Sequence, residues 1–209
     1  MKTEEFNFGD FTRVEVGHAF EVEVVQSDSY SVSITADDNL FKNLKVSKEG
    51  ETLKIGCSRH IGWRLRSTRP RARITMPVLK GLQLSGATKG TISGFNSSEG
   101  FKLNLSGASS VTGEITAGDA EFNFSGASSV ELAGAAKNAV IEASGASHME
   151  LGGFSVHDAA IKLSGASRST VKLDGTLNAT LSGASKLSWI GNPIMGDIKT
   201  SGASTLSNK

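Results

Sequence analysis

The tripeptide Ser-Gly-Ala occurs seven times in this chain of 209 residues. Successive copies are 21, 19, 19, 20, 18 and 19 residues apart, and their serines are Ser85, Ser106, Ser125, Ser144, Ser164, Ser182 and Ser201. A period of about 20 residues is typical of stacked repeat proteins, in which each unit buries its apolar face against its neighbours. The repeat therefore constrains the fold of this region, but it does not define a function.

Each tripeptide follows a short apolar-polar-apolar segment, such as Leu103-Asn104-Leu105. This alternation predicts a strand with one buried face. A second short strand follows the tripeptide, as in Val130-Glu131-Leu132. No repeat contains the roughly ten residues of helical periodicity that a helix needs. Stacked in register, these strands predict an all-β fold, a parallel β-helix or β-solenoid, with one repeat of about 19 residues per coil.

The tripeptide itself is expected to form the corner of each coil. Its glycine tolerates a positive φ and a tight bend. We expect the alanine to fit where the two sheets converge, and the stacked serines to hydrogen-bond along their column. Seven near-equal serines also argue against a nucleophile, which needs a single copy with its own catalytic partner.

Residues 1–80 lack the repeat but remain strand-like, as in Phe20-Glu21-Val22-Glu23-Val24. Because the open end of a solenoid must be covered, we expect residues 1–80 to form an N-terminal β cap. This cap is expected to be continuous with the repeat β-helix of residues 81–209. No linker rich in Pro, Ser or Gly separates the two regions, which indicates one cooperative unit.

The N-terminal pattern and the repeats together resemble a known family. The segments that carry the resemblance are Phe11-Thr12-Arg13-Val14-Glu15-Val16 and Ile74-Thr75-Met76-Pro77-Val78-Leu79, the latter leading into the first repeat. Over nearly its whole length the chain resembles the head GIN domain family, described as auto-transporter adhesins. The resemblance implies a right-handed β-helix and an extracytoplasmic location in the periplasm, at the cell surface or in the medium. No signal peptide is visible, because Met1-Lys2-Thr3-Glu4-Glu5 runs directly into the first strand.

Composition argues against several classes of partner. The net charge is +1 and aromatic residues make up 6% of the chain, so neither a basic field nor stacking platforms favour nucleic acid. No stretch approaches the roughly 18 apolar residues of a transmembrane helix. The single cysteine, Cys57, excludes an internal disulfide framework.

The sharpest local anomaly is a cluster of arginines within fifteen residues: Arg59, Arg64, Arg66, Arg69, Arg71 and Arg73. No acidic residue lies among them, so the cluster is a candidate anion-binding patch for an acidic glycan or another anionic cell-surface ligand. The alternative, which we favour, is a solvated hairpin or a set of edge-strand charges that block aggregation.

Other polar patterns are weaker. Asp119, Asn138 and Asp158 recur at one repeat position, which could bind Ca²⁺, but Asx residues in stacked turns explain them as well. Glu131 and Glu150 could mimic the carboxylate pair of a glycosidase, although a solvated charge ladder is the simpler interpretation. The four histidines, His18, His60, His148 and His157, show no metal-ligand spacing. We therefore expect no cofactor, no metal and no catalytic residue.

The last repeat is irregular, and a solenoid end exposes apolar side chains and unpaired strand edges. We expect Trp189, Ile194 and Met195 either to cover this end or to form a homo-oligomer contact, with the contact slightly favoured. The sequence thus predicts a non-enzymatic β-helix of the cell envelope that acts as an adhesin, a binding module or a scaffold. Two alternatives remain open: a polysaccharide-active enzyme on the same scaffold, and a partner protein in envelope stress or regulation.

Overall fold

The computed structural model describes residues 1–58 and 69–209. These residues form 21 strands and one helix of a single turn. The elements in chain order are β1 (Lys2–Phe6), β2 (Arg13–Val16), β3 (Glu21–Gln26), β4 (Ser31–Ala36), α1 (Asp38–Phe41), β5 (Leu44–Glu49), β6 (Thr52–Cys57), β7 (Arg71–Met76), β8 (Gly81–Leu84), β9 (Lys89–Asn96), β10 (Phe101–Leu105), β11 (Ser110–Thr116), β12 (Asp119–Phe124), β13 (Ser129–Ala135), β14 (Asn138–Ala143), β15 (His148–Val156), β16 (Asp158–Leu163), β17 (Arg168–Leu173), β18 (Thr176–Leu181), β19 (Lys186–Ile190), β20 (Ile194–Thr200) and β21 (Thr205–Asn208).

The strands form two long sheets. The larger sheet has 11 strands in the order β1-β4-β7-β3-β9-β11-β13-β15-β17-β19-β21, and the smaller has 10 in the order β20-β18-β16-β14-β12-β10-β8-β2-β6-β5. From β8 onward, even-numbered strands enter the smaller sheet and odd-numbered strands enter the larger one. β8 and β9 pair in parallel with β2 and β3, and from β10 onward each strand pairs in parallel with the strand two positions earlier. The predicted β-solenoid is thereby confirmed.

The register follows the sequence repeat. Leu103 on β10 is level with Phe122 on β12, which is level with Ile141 on β14. All three side chains are at most 1% exposed, and they belong to one core that runs through both sheets. Because side chains alternate along a strand, the intervening Asn104, Asn123 and Glu142 lie on the outer face of the smaller sheet.

The tripeptide forms the corner between the two strands of each repeat. At Gly126, φ is +75°, and a Cβ on this residue would lie 2.5 Å from the carbonyl oxygen of Gly107 in the coil below. The next residue, Ala127, donates its N–H to the same oxygen at 2.8 Å. Glycine is therefore required here both for its left-handed conformation and for the close stacking of successive corners.

Two expectations for the tripeptide were wrong: its alanine is not buried between the sheets, and the hydroxyls of Ser106, Ser125 and Ser144 do not hydrogen-bond along their column to any described residue. Ala108, Ala127 and Ala146 are exposed at the corner rather than buried between the sheets. The residue that turns inward is the one after the alanine: Ser109 is buried, and its hydroxyl donates to the carbonyl of Ser106 at 2.8 Å. A small hydroxyl side chain at this position satisfies a corner carbonyl that the strand ladders leave unpaired.

The N-terminal strands extend both sheets. β2 lies between β6 and β8, and β3 lies between β7 and β9, so this pair is enclosed by strands that come later in the chain. The connection between them, Gly17-His18-Ala19, occupies the corner below the first Ser-Gly-Ala. His18 adopts φ +64° and its backbone N would be 3.4 Å from a Cβ on Gly86.

Beyond β6 and β7 the pairing becomes antiparallel. β4 and β1 extend the larger sheet and β5 extends the smaller one. Within the described part of the chain, no helix is both long enough and apolar enough to cross a membrane.

Candidate functional site

Two of the clustered arginines lie opposite carboxylates that the sequence places far away. Strand β3 runs beside β7, and the guanidinium groups of Arg71 and Arg73 come within 3.2 and 3.3 Å of the carboxylates of Glu21 and Glu23. Arg69 is exposed, and Arg59, Arg64 and Arg66 lie outside the described residues. Of the three described arginines, Arg71 and Arg73 are therefore exposed and charge-compensated, and Arg69 is exposed.

The repeated Asx residues begin successive strands of the smaller sheet. Asn138 donates its side-chain N–H to Asp119 at 2.9 Å, and Asp158 accepts the backbone N–H of Thr176 at 2.6 Å. This backbone hydrogen bond is the main cause that lowers the pKa of Asp158. The side-chain oxygens of Asp119 and Asp158 thus accept hydrogen bonds from neighbouring coils, as those of Asx residues in turns do. Among the described residues, no three acidic, histidine or cysteine side chains are grouped as a metal site would require.

Glu131 and Glu150 are level with each other on β13 and β15, on the outer face of the larger sheet. The same row continues to Thr112 on one side and to Thr170 on the other. Neither threonine supplies an acid or a base that could assist hydrolysis. The row is a polar ladder, and Thr112, Glu131 and Glu150 line a depression of about 280 Å³.

A histidine outside these rows has a charged partner. Nδ1 of His157 lies 3.0 Å from the carboxylate of Asp174 in the next coil. This hydrogen bond is the largest cause that raises the pKa of His157, and the charge of Asp158 adds to it. Both side chains of the pair are well exposed, so the pair is a surface feature.

The three residues predicted for the C-terminal end have different environments. Trp189 is partly buried and packs on the core, whereas Ile194 is 71% exposed and Met195 is 46% exposed. Ile194 and Met195 belong to β20, the edge strand of the smaller sheet. The structure therefore separates one packing residue from two surface residues.

An elongated groove crosses the outer face of the smaller sheet. Its volume is about 460 Å³, and we call it the amide groove. One wall is the column of polar side chains Gln83, Asn104, Asn123, Glu142 and Lys162. The other is the column of tripeptide serines Ser106, Ser125, Ser144 and Ser164. The groove thus runs across the strands, along the axis of the solenoid.

Hydrogen bonds fix the central amide of this groove. Nδ2 of Asn123 donates to Oδ1 of Asn104 at 3.1 Å and to Oε1 of Glu121 at 2.8 Å. Glu121 is in turn held by the ammonium group of Lys102 at 2.6 Å. The hydrogen bond from Lys102, followed by that from Asn123, lowers the pKa of Glu121.

Sequence reasoning did not identify the amide groove. The signal was present in the middle residue of the apolar-polar-apolar segments, which is Gln83, Asn104 and Asn123 in three consecutive repeats. Charged residues occupy the next two repeats, so the column looked like an ordinary solvated face. Only the stacking places these amides beside the serines of the corner.

The amino-acid sequence of residues 10–193 matches the model of a family described as "Putative auto-transporter adhesin, head GIN domain". The chain belongs to this family. The resemblance drawn from the sequence is thereby confirmed. Adhesins act outside the cytoplasm, so the family description indicates an extracytoplasmic location for this head GIN domain. Among functionally curated proteins, no sequence matches it significantly.

Solved structures share the fold of this head GIN domain. A "putative adhesin" from Bacteroides fragilis superposes with a TM-score of 0.92 at 19% identity, covering 100% of this chain and 96% of that one. A "putative lipid binding protein" from Parabacteroides distasonis gives 0.78 at 18% identity, with 100% and 96% covered. A "putative adhesin" from Parabacteroides merdae gives 0.76 at 18% identity, with 100% and 95% covered. At sequence identities of 18–19%, these similarities show a shared fold.

Proposed function

We propose that this head GIN domain is a non-enzymatic binding module that works at the cell envelope or beyond it, and that its ligand is a glycan. The observation that carries the proposal is the outward surface of the solenoid. Rigid sheets present regular rows of polar side chains, and the rows of the amide groove keep donors and acceptors that no group in residues 1–58 or 69–209 uses. A preorganised polar surface of this kind suits the recognition of hydroxyl-rich ligands.

The direct test is a glycan and lipid array probed with the purified domain at low and at high salt. We expect binding to glycans that survives high salt, because contacts through amides and hydroxyls are screened far less than contacts between exposed charges. Binding to lipids alone would instead favour the ligand class in the name of the Parabacteroides distasonis structure. Binding to nothing on the array would contradict the proposed function.

The enzymatic alternative has its own test. A polysaccharide hydrolase would need Glu131 and Glu150 as its carboxylate pair. Incubation of array-positive glycans with the domain, followed by analysis of the products, should show intact glycans. If cleavage occurs and is abolished by Glu131→Gln or Glu150→Gln, the protein is an enzyme and the binding proposal is incomplete.

An anion site in the arginine cluster remains a separate proposal. Because Arg71 and Arg73 already face Glu21 and Glu23, such a site would depend on Arg69 and on the arginines outside the described residues. Replacing Arg64, Arg66 and Arg69 with serine should then reduce binding to anionic array members and leave the melting temperature nearly unchanged. Unchanged binding to every anionic ligand would leave these residues as solvated charges.

We further propose a homo-oligomer contact through Ile194 and Met195, since both are large apolar side chains on an exposed edge strand. Sedimentation of the wild type should show self-association that Ile194→Ser with Met195→Ser removes. Trp189 is left unchanged in this variant because it packs on the core. A wild type that is strictly monomeric at high concentration would refute the contact.

A further inference from the structure

We infer that the amide groove is the glycan-binding site, and that it takes an extended, uncharged oligosaccharide lying along the solenoid axis across β8 to β16. This inference rests on the proposed function, because it assigns the site and the ligand class of the same binding activity. Three observations support the inference: the hydrogen-bonding groups of the groove that remain unused, the spacing of these groups, and the positions of the charged side chains.

The serine wall supplies free hydroxyls. Ser106, Ser125 and Ser144 line the groove, and their hydroxyls make no hydrogen bond with any described residue. The hydroxyl of the neighbouring inward residue satisfies the corner instead, as Ser128 does by donating to the carbonyl of Ser125 at 2.8 Å. The fold therefore does not use the outer hydroxyls in hydrogen bonds with described residues. Each hydroxyl can donate a hydrogen bond to a sugar or accept one from it.

The amide wall supplies a fixed pattern of donors and acceptors. Asn123 uses both of its N–H groups, toward Asn104 and Glu121, which leaves its Oδ1 as an acceptor. Asn104 accepts through Oδ1, which leaves its Nδ2 as a donor. Because these side chains are already held in place, ligand binding would cost less side-chain entropy than it would if the amides were mobile.

The spacing suits a polymer rather than a compact ligand. Neighbouring strands lie about 4.8 Å apart, so each coil offers one side chain of the amide wall and one serine at that interval. The rise per sugar of an extended β-1,4-linked chain is similar to this interval, but neighbouring sugars are turned over, so equivalent hydroxyls on one edge recur at alternate sugars. A chain that crosses several coils can therefore repeat the same set of contacts with alternate coils.

The charges favour an uncharged ligand. The first three residues of the amide wall, Gln83, Asn104 and Asn123, are neutral, and the charged residues Glu142 and Lys162 lie 4.0 Å apart. The groove therefore has little net field to attract a polyanion. The ring of Phe124 lies beneath the groove and is 4% exposed, so the ligand is held by polar contacts rather than by stacking on an aromatic face.

The experiment compares the wild type with the double variant Asn104→Ala plus Asn123→Ala. The matched control is Ser110→Ala plus Ser129→Ala, which removes two polar side chains from the outer face of the larger sheet in the same coils. The probes are cellohexaose and chitohexaose as neutral hexasaccharides, together with any array-positive glycan, and polygalacturonate as the polyanion. Titration calorimetry gives the affinity, and thermal melting confirms that each variant is folded.

We expect the wild type and the control to bind a neutral glycan alike, and the groove variant to lose at least tenfold in affinity. A second variant, Ser125→Tyr, should fill the groove and have the same effect; Ser125 is exposed, so the fold can accommodate the larger side chain. If the groove variants bind as well as the wild type does, the site is elsewhere and only the proposed function survives. Binding of the polyanion alone would also overturn the inference, and the absence of any glycan binding would overturn both.

Discussion

The centre of the solenoid is an aromatic cluster, and its removal tests the described packing. Phe122 is 0% exposed, and its ring lies 5.6 Å from that of Phe154, 6.2 Å from Phe124 and 6.4 Å from Phe101, measured between centroids. Phe154 belongs to the larger sheet, whereas the other three rings belong to the smaller one. The substitution Phe122→Ala therefore removes a contact that joins the two sheets.

The magnitude follows from burial and from the cavity. A fully buried phenylalanine contributes about 1.5–3 kcal/mol through transfer from water. Close aromatic pairs add about 0.5–1.5 kcal/mol, and the rigid sheets on both sides cannot collapse far into the space left behind. We expect Phe122→Ala to lower the free energy of unfolding by about 4 kcal/mol, within the usual range of roughly 3–5 kcal/mol for this substitution.

Equilibrium denaturation in urea measures this loss, with the slope compared between variants to detect partial unfolding of the stack. The control is Val140→Ala, a truncation on the neighbouring strand at a side chain that is 47% exposed. It should change stability by less than about 0.5 kcal/mol. If Phe122→Ala costs less than about 1 kcal/mol with an unchanged slope, the register assigned to the core is wrong.

Three further predictions concern single sites. The buried hydroxyl of Ser169 has no partner among the described residues and lies level with Met149 and Leu187, so Ser169→Val should stabilise the protein by about 1 kcal/mol in denaturant melts; a loss of stability would contradict this. Gly126→Ala should cost more than about 2 kcal/mol because of both its φ and the stacked carbonyl, whereas Gly50→Ala, at φ +57° with nothing nearby, should cost only about 1 kcal/mol. In an NMR titration the pKa of His157 should lie above its usual value and fall in Asp174→Asn, and an identical midpoint in the two proteins would refute the pairing. Because the folded pKa is the higher one, the small stabilisation by this pair is present below the unfolded pKa and is lost as pH rises through the folded value.

The solenoid could be predicted because its signal is local and repeated. Each repeat carries the same alternation and the same Ser-Gly-Ala corner, so one register explains all of them. The order of the N-terminal strands could not be predicted in this way. β2 and β3 pair with strands that are between 39 and 68 residues away along the chain, and Gly17-His18-Ala19 replaces the tripeptide at its corner.

The arrangement of the surface residues could not be predicted either, because it also depends on strands that are distant in the chain. The cluster around Arg71 and Arg73 looked uncompensated because Glu21 and Glu23 are about 50 residues earlier in the chain, and only the pairing of β3 with β7 brings them together. The amide groove has two walls that belong to different positions of the repeat. Each position alone resembles a solvated residue, and the groove arises from their stacking over several coils.

The claim that this head GIN domain binds a glycan in the amide groove can be tested at the atoms involved. The measurement is a two-dimensional ¹⁵N NMR titration of the labelled domain with a neutral glycan that it binds, following the side-chain amide signals of Asn104 and Asn123. These signals should shift and saturate together, while the backbone signals of Ser110 and Ser129 on the larger sheet stay in place. Saturable shifts at Ser110 and Ser129, with Asn104 and Asn123 unchanged, would contradict the account.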